Sequence, residues 1–197
     1  MTRCLVSIII INFNYGRFLR QAIDSALDQT YRPVEVVVVD DGSTDCSREI
    51  MRSYGDQIVS VLKKNGGQGS AFNFGFAKSS GEIACFLDSD DALLPDAIER
   101  IIALFDTPDI VKVHWPLWII DSAGARTGRV KEPELPEGDF REIVYREGPM
   151  TEASCQARRH PVMRIGAPSS AGCSRCRRVR IVLQLMRTFL VLRRRSE

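Results

Sequence analysis

Residues 34 to 45, Val-Glu-Val-Val-Val-Val-Asp-Asp-Gly-Ser-Thr-Asp, run from an unbroken apolar strand into two carboxylates and a tight turn. A strand that is apolar at every position, as Val36 to Val39 is, must be buried on both faces, and such strands belong to parallel sheets covered by helices on both sides. Two further runs repeat the pattern. Val6 to Ile11 leads into the polar loop Asn12-Phe13-Asn14-Tyr15-Gly16, and Ile83 to Leu87 leads into Asp88-Ser89-Asp90-Asp91. After the first loop Phe18, Leu19, Ala22, Ile23, Ala26 and Leu27 recur at helical spacing. Gln29 to Pro33 closes that helix, since proline forces its predecessor out of the α region. Residues 6 to 39 are therefore expected to form a right-handed βαβ crossover.

In an open parallel sheet the ligand crevice lies at the carboxyl ends of the strands, so both acidic clusters should meet there. Carboxylates in that position suit a divalent cation, a ribose hydroxyl or a base N–H, the parts of a metal-bound nucleotide. Each cluster alone has a plainer reading, because Asp-Gly-Ser and Ser-Asp-Asp are also common turn and helix-cap chemistry. Between them, Lys63-Lys64-Asn65-Gly66-Gly67-Gln68-Gly69-Ser70 reads in two ways. It is either a loop that brings cations to a diphosphate ahead of a helix from Ala71 to Lys78, or a connector loosened by its glycines. It has neither P-loop nor dinucleotide-fingerprint spacing.

Taken in order over roughly residues 5 to 120, five pieces resemble family-2 glycosyltransferases of the GT-A fold. They are Val6 to Asn14, Gln29-Thr30-Tyr31, Glu35 to Asp45, Asn65 with Gly67, Asn73 and Gly75, and Asp88 to Asp91. The resemblance implies an α/β fold of GT-A type, a Rossmann-like and mostly parallel sheet flanked by helices, with the C-terminal part incomplete. It also implies transfer of a sugar from a nucleotide-activated donor to an acceptor hydroxyl, with inversion at the anomeric carbon. Carried over residue by residue, it places Asn12, Phe13, Asn14 and Asp41 around base and ribose, with Asp40 nearby and Asn65, Gly67 and Asp88 completing the nucleotide site. Asp88 and Asp90 match its Asp-X-Asp motif and Asp91 extends it, so these three are the expected ligands of Mg²⁺ or Mn²⁺. The implied donor is most often a UDP-sugar. The implied acceptor is a saccharide or lipid-linked molecule of cell-envelope polysaccharide, and no nucleic acid is expected as a partner.

The composition, 44% apolar and 26% charged, is ordinary for one soluble globular domain, yet the net charge of +2 hides a split. Residues 1–150 carry 16 Lys+Arg against 23 Asp+Glu, a balance of −7, whereas residues 151–197 carry 11 against 2, a balance of +9. The chain accordingly divides into a nucleotide-sugar-binding GT-A domain over 1–150, with a partial acceptor half, and an Arg-rich tail over 151–197. That tail reads as disordered, as the product of a frame shift or truncated gene, or as a basic arm. Val179 to Leu192 has helical apolar spacing with Arg180, Gln184, Arg187 and Arg194 roughly on one face, which predicts peripheral membrane contact; it is too short and too charged to span a bilayer. Met1 to Ile11 lacks the features of a signal peptide. The expected location is cytoplasmic, with the inner face of the membrane as the site of any such contact.

Cys173-Ser174-Arg175-Cys176 with Cys155 and His160 makes a weak zinc pattern, since the second pair has unusual spacing. Cys4, Cys46 and Cys85 read as reduced core or near-surface thiols. Ile110 to Ile120 reads as one or two strands broken at Pro116, with Asp121 to Gly124 suited to a hairpin turn. His114, Trp115 and Trp118 on it read as packed residues before catalytic or acceptor-lining ones. Lys131 to Gly138 reads as a loop, and Phe140 to Arg146 as the start of a short helix. An inverting transferase needs a general base. Asp139, Glu142, Glu147 and Glu152 are the remaining candidates, none in a recognisable motif, and no carboxylate lies between Glu152 and Glu197. Two rival readings follow, a nucleotide-sugar-binding remnant without turnover and a phosphoacceptor receiver domain. The receiver is disfavoured because no Lys-bearing strand end follows Asp90 and Asp91.

Overall fold

The three apolar runs become adjacent parallel strands. In the computed structural model, which describes residues 3–105, 112–113, 117–121, 125–131 and 180–183, they are β1 (Val6–Asn12), β2 (Val34–Asp40) and β4 (Ile83–Asp88). Helix α1 (Gly16–Leu27) crosses from β1 to β2, as the spacing requires, and buries Leu19, Ala22, Ile23 and Ala26 on one face. Next come α2 (Ser47–Ser53), a 3₁₀ turn at Gly55–Gln57, β3 (Val59–Leu62), α3 (Gln68–Lys78) and α4 (Ala97–Leu104). Three short strands follow: β5 (Lys112–Val113), β6 (Leu117–Ile120) and β7 (Arg126–Lys131). The last described element is β8 (Arg180–Leu183).

The main sheet has the order β3-β2-β1-β4-β8-β5, and every pairing in it is parallel. β6 and β7 form a separate antiparallel pair closed by Asp121, whose amide donates to the Ala125 carbonyl at 2.9 Å. The hairpin expected after Pro116 is therefore present. Lys131, expected to open a loop, instead ends β7. Arg180–Leu183 corrects the helical expectation for those four residues: the segment is extended and lies between β4 and β5, where both of its edges are paired, while the rest of Val179 to Leu192 lies outside the described residues. Parallel pairing on two sides outweighs the local helical periodicity there. His114, Trp115, the zinc pattern and the segment 140–146 lie outside the described residues.

Pleating sends successive residues of a strand to opposite faces. Ile8, Ile10, Val36, Val38, Cys85 and Leu87 pack with Leu19, Ala22, Ile23, Met51 and Ile98 of α1, α2 and α4. Ile9, Ile11, Val37, Val39, Ala84 and Phe86 pack on the other face with Ala71 and Phe72 of α3. Each of these isoleucines and valines is nearly or fully buried, and each contributes on the order of 1.5–3 kcal/mol through area removed from water. α3 lies close to the sheet because Gly75 faces it: a Cβ there would come within 2.4 Å of Ile9 Cγ2 and 2.9 Å of Val39 Cγ2.

Candidate nucleotide-sugar site

Strand register brings the chemistry-bearing residues into one row. Asn12 is paired with Asp40 and Ile11 with Asp88, so the ends of β2, β1 and β4 stand side by side, roughly 5 Å apart from strand to strand. The chain leaves β1 toward β2 on one side and returns to pair β4 on the other. This is a topological switch point, where an open α/β sheet has its crevice.

The same pleat separates the two adjacent aspartates. Asp40 continues the Val36, Val38 parity and faces α2; it is completely buried, accepts both the Ser43 amide, at 3.2 and 3.3 Å, and Arg48 Nε, at 2.9 Å, and lies 3.4 Å from Asn12 Nδ2. Asp41 continues the Val37, Val39 parity and faces α3. It is also buried, accepts the Gly66 amide at 3.0 Å and forms an ion pair with Lys63 Nζ. Lys63 further donates to the Lys64 carbonyl at 2.7 Å and lies 5.4 Å from the centre of the Phe74 ring. Of the two lysines that one of the two readings of this loop brings to a diphosphate, Lys63 is spent on Asp41 and Lys64 is exposed. Gly42 has φ 85°, and a Cβ there would meet the Asn65 amide nitrogen at 2.8 Å, so glycine is what lets this loop close over the turn. An open depression of about 500 Å³ beside it is lined by Gly42, Arg48, Leu62, Lys63, Lys64 and Asn65.

The rest of Asp-Asp-Gly-Ser-Thr-Asp ties the loop after β1 in place. Ser43 Oγ accepts from Asn12 Nδ2 at 3.1 Å and from the Asn14 amide at 2.9 Å. Asn14, at φ 57°, accepts the Thr44 amide on Oδ1 at 2.8 Å. Asp45 accepts the Gly16 amide at 2.8 Å and the Ser47 amide at 3.0 Å, joining the first turns of α1 and α2. Burial alone would raise the Asp45 pKa; hydrogen bonds from the Ser47 hydroxyl and from the Gly16 and Ser47 amides outweigh it and hold the carboxyl below its usual range. The turn-and-cap reading thus describes Asp40, Ser43, Thr44 and Asp45. Asn12 Oδ1 is sealed from solvent with no hydrogen-bond partner among the described residues, and the ring of Phe13 stands about half exposed above β1, at 46%.

At the end of β4, the Asp91 amide donates to the Asp88 carbonyl at 3.1 Å, which folds Asp88-Ser89-Asp90-Asp91 into a turn. Asp88 and Asp91 are half-buried and Asp90 is exposed. Asp88 shares the α3-facing parity with Asp41. Among the described residues no three His, Cys, Asp or Glu side chains close around a single ion. Asp88, Asp90 and Asp91 offer carboxylate oxygens alone, the donor type that suits a hard divalent cation. Asn65 and Gly67 lie in the exposed stretch before α3, with Gly67 at φ 79° as its capping residue. The buried Cys85 thiol is pushed up to about 12 by desolvation and is chemically inert. Cys4, Cys46 and Cys85 are free. Sequence reasoning missed Lys63 as the partner of Asp41.

The comparisons with known proteins agree with this geometry. The family model described as glycosyl transferase family 2 matches residues 7–166. An uncharacterized glycosyltransferase of Nostoc sp. is 47% identical over 149 residues, covering 73% of this chain and 46% of the relative. One from Rickettsia typhi is 46% identical over 110 residues, covering 54% of this chain and 35% of the relative. The chain thus spans less than half the length of these relatives. Among solved structures, S. aureus TarS in complex with UDP-GlcNAc superposes with a TM-score of 0.53 at 24% identity, over 69% of this chain and 38% of that one. A mannosyltransferase from Pyrobaculum calidifontis in complex with GDP-Man and Mn²⁺ also gives 0.53, at 22% identity, over 60% and 36%. At such identities the likeness is one of fold, and the fold is GT-A. With the family model matching well over half its length, the chain belongs to glycosyl transferase family 2.

Proposed function

We propose that this chain carries the donor-binding half of a metal-dependent, inverting glycosyltransferase that moves a sugar from a nucleotide-diphospho-sugar to an acceptor hydroxyl. The observation that carries the reading is the single row formed by the ends of β2, β1 and β4, which sets Asp41 and Asp88 on the α3 side of one crevice, with the acidic turn leading out of Asp88. In this reading Phe13 offers a ring face to the base. Asp41, its Oδ1 held by Lys63 and the Gly66 amide, presents its second oxygen to a nucleoside N–H or hydroxyl. Asp40, Asn12 and Asn14 act mainly by shaping the loops around that position, and Asn65 and Gly67 form the backbone bordering the phosphates. Asp88, Asp90 and Asp91 would hold Mg²⁺ or Mn²⁺, which when bound neutralises charge gathering on the leaving diphosphate. The complexes of the fold neighbours with UDP-GlcNAc, and with GDP-Man and Mn²⁺, support a nucleotide-sugar donor and a divalent metal. A UDP-sugar is the first donor to try. The candidate bases Asp139, Glu142, Glu147 and Glu152 all lie outside the described residues.

Calorimetric titration of UDP, dTDP and GDP, each with Mn²⁺ and with EDTA, tests the reading. One nucleotide should bind best and only with metal, and Asp90→Asn should remove most of the metal dependence. Equal binding of all three in EDTA would sink it.

A further inference from the structure

Gln29 follows α1 directly and is 3% exposed, although it belongs to no part of the site described above. Its side-chain amide is fully committed. Nε2 donates to the Ser25 carbonyl at 2.9 Å and to the Leu94 carbonyl at 2.8 Å, and Oε1 accepts the Ile98 amide at 3.0 Å. This pattern fixes the orientation of the amide, because turning it over would set an oxygen against two carbonyl oxygens. Two neighbours extend the attachment: the Thr30 amide donates to the Pro95 carbonyl at 2.8 Å, and Ser25 Oγ accepts the Leu93 amide at 3.1 Å. Three consecutive residues of the segment after β4, Leu93, Leu94 and Pro95, with Ile98 in the first turn of α4 as a fourth, are therefore bonded to the end of α1.

The segment so held begins as the acidic turn. Asp88 is fixed by pairing with Ile11, and Leu93 is fixed by Ser25 and by burial of its side chain. From Asp91 to Leu93 the chain reaches at most about 7 Å, so little slack remains between the turn and its anchor. We infer that Gln29, with Ser25 and Thr30, is a positioning residue for the cation: the end of α1 straps down the segment Ser89–Ile98 and thereby sets the carboxylates of Asp90 and Asp91. The inference rests on the metal role proposed for that turn.

Gln29→Glu is isosteric and places an oxygen against the Ser25 and Leu94 carbonyls. Two measurements on the full chain are needed, hydrogen exchange of segment 89–98 and calorimetric affinity for UDP with and without Mn²⁺. Exchange in 89–98 should accelerate while that of β2 stays unchanged. Mn²⁺-dependent affinity should fall about tenfold, the size expected when a group orienting metal ligands is lost, and affinity in EDTA should stay within about twofold. Ser25→Ala, which removes the Leu93 anchor together with the hydroxyl's own bond to the Ala22 carbonyl within α1, should give a weaker version of the same pattern and serves if Gln29→Glu does not fold. Unchanged Mn²⁺ affinity in a variant whose strap has loosened overturns the inference, as does an equal loss with and without metal. Mn²⁺ independence in the unsubstituted chain overturns the metal reading before any variant is compared, and the positioning role with it.

Discussion

The loops after β1 and β2 have no regular structure, yet among the described residues they are tied by more side-chain-to-backbone hydrogen bonds than the regular β6–β7 hairpin. In the loops, Ser43, Asn14 and Asp45 each satisfy a neighbouring backbone amide, and Asp40 holds the turn from beneath. In the hairpin, Trp118, Ile119 and Ile120 are 49%, 37% and 40% exposed, and the ring of Trp118 meets Arg126 at 5.0 Å. Regularity is a matter of backbone angles, whereas fixity depends on where polar groups find partners and how much apolar surface is covered.

Three substitutions test that contrast. Asp40→Ala should have the largest effect, a loss of about 3–5 kcal/mol in denaturant unfolding, since it strips a buried carboxylate from Ser43, Arg48 and Asn12 together. A loss below about 1 kcal/mol would mean that the half-exposed Arg48 and solvent replace those bonds easily. Gly75→Ala should follow with about 1–3 kcal/mol, because its Cβ would press into Ile9. Trp118→Ala should be smallest, below about 1 kcal/mol. A larger loss would show that the hairpin packs against more of the protein than the described residues include.

How much of this was legible depended on how each element earns its stability. β1, β2, β4 and α1 were readable because burial on both faces, or along a full helical stripe, writes itself into the residue pattern. β3 was not, since only Val61 of its four residues is buried, and α2 buries just Ser47 and Met51. β8 was read as helical because its apolar spacing serves either geometry; its partners, β4 and β5, are far away in the chain. At the site the acidic clusters stood out, but nothing in the text of Asp40-Asp41 says that one serves the loops and the other the crevice. That follows from the pleat. Gln29-Thr30-Tyr31 was read only as the end of α1 and as part of a resemblance, because the bonds of Gln29 to Leu94 and Ile98 reach more than sixty positions downstream.

The central position of β1 also shapes how the chain is made. Val6 pairs with Val34 on one side and with Ile83 on the other, separations of 28 and 77 positions, and closing the wider loop costs roughly 1 kcal/mol more. During synthesis β4 is completed 48 residues after β2, a wait of roughly 2–10 s at ordinary elongation rates. Throughout that interval β1 offers an open edge of isoleucine backbone, so the nascent chain is most exposed to mispairing with another copy before the strand that carries its acidic turn has left the ribosome.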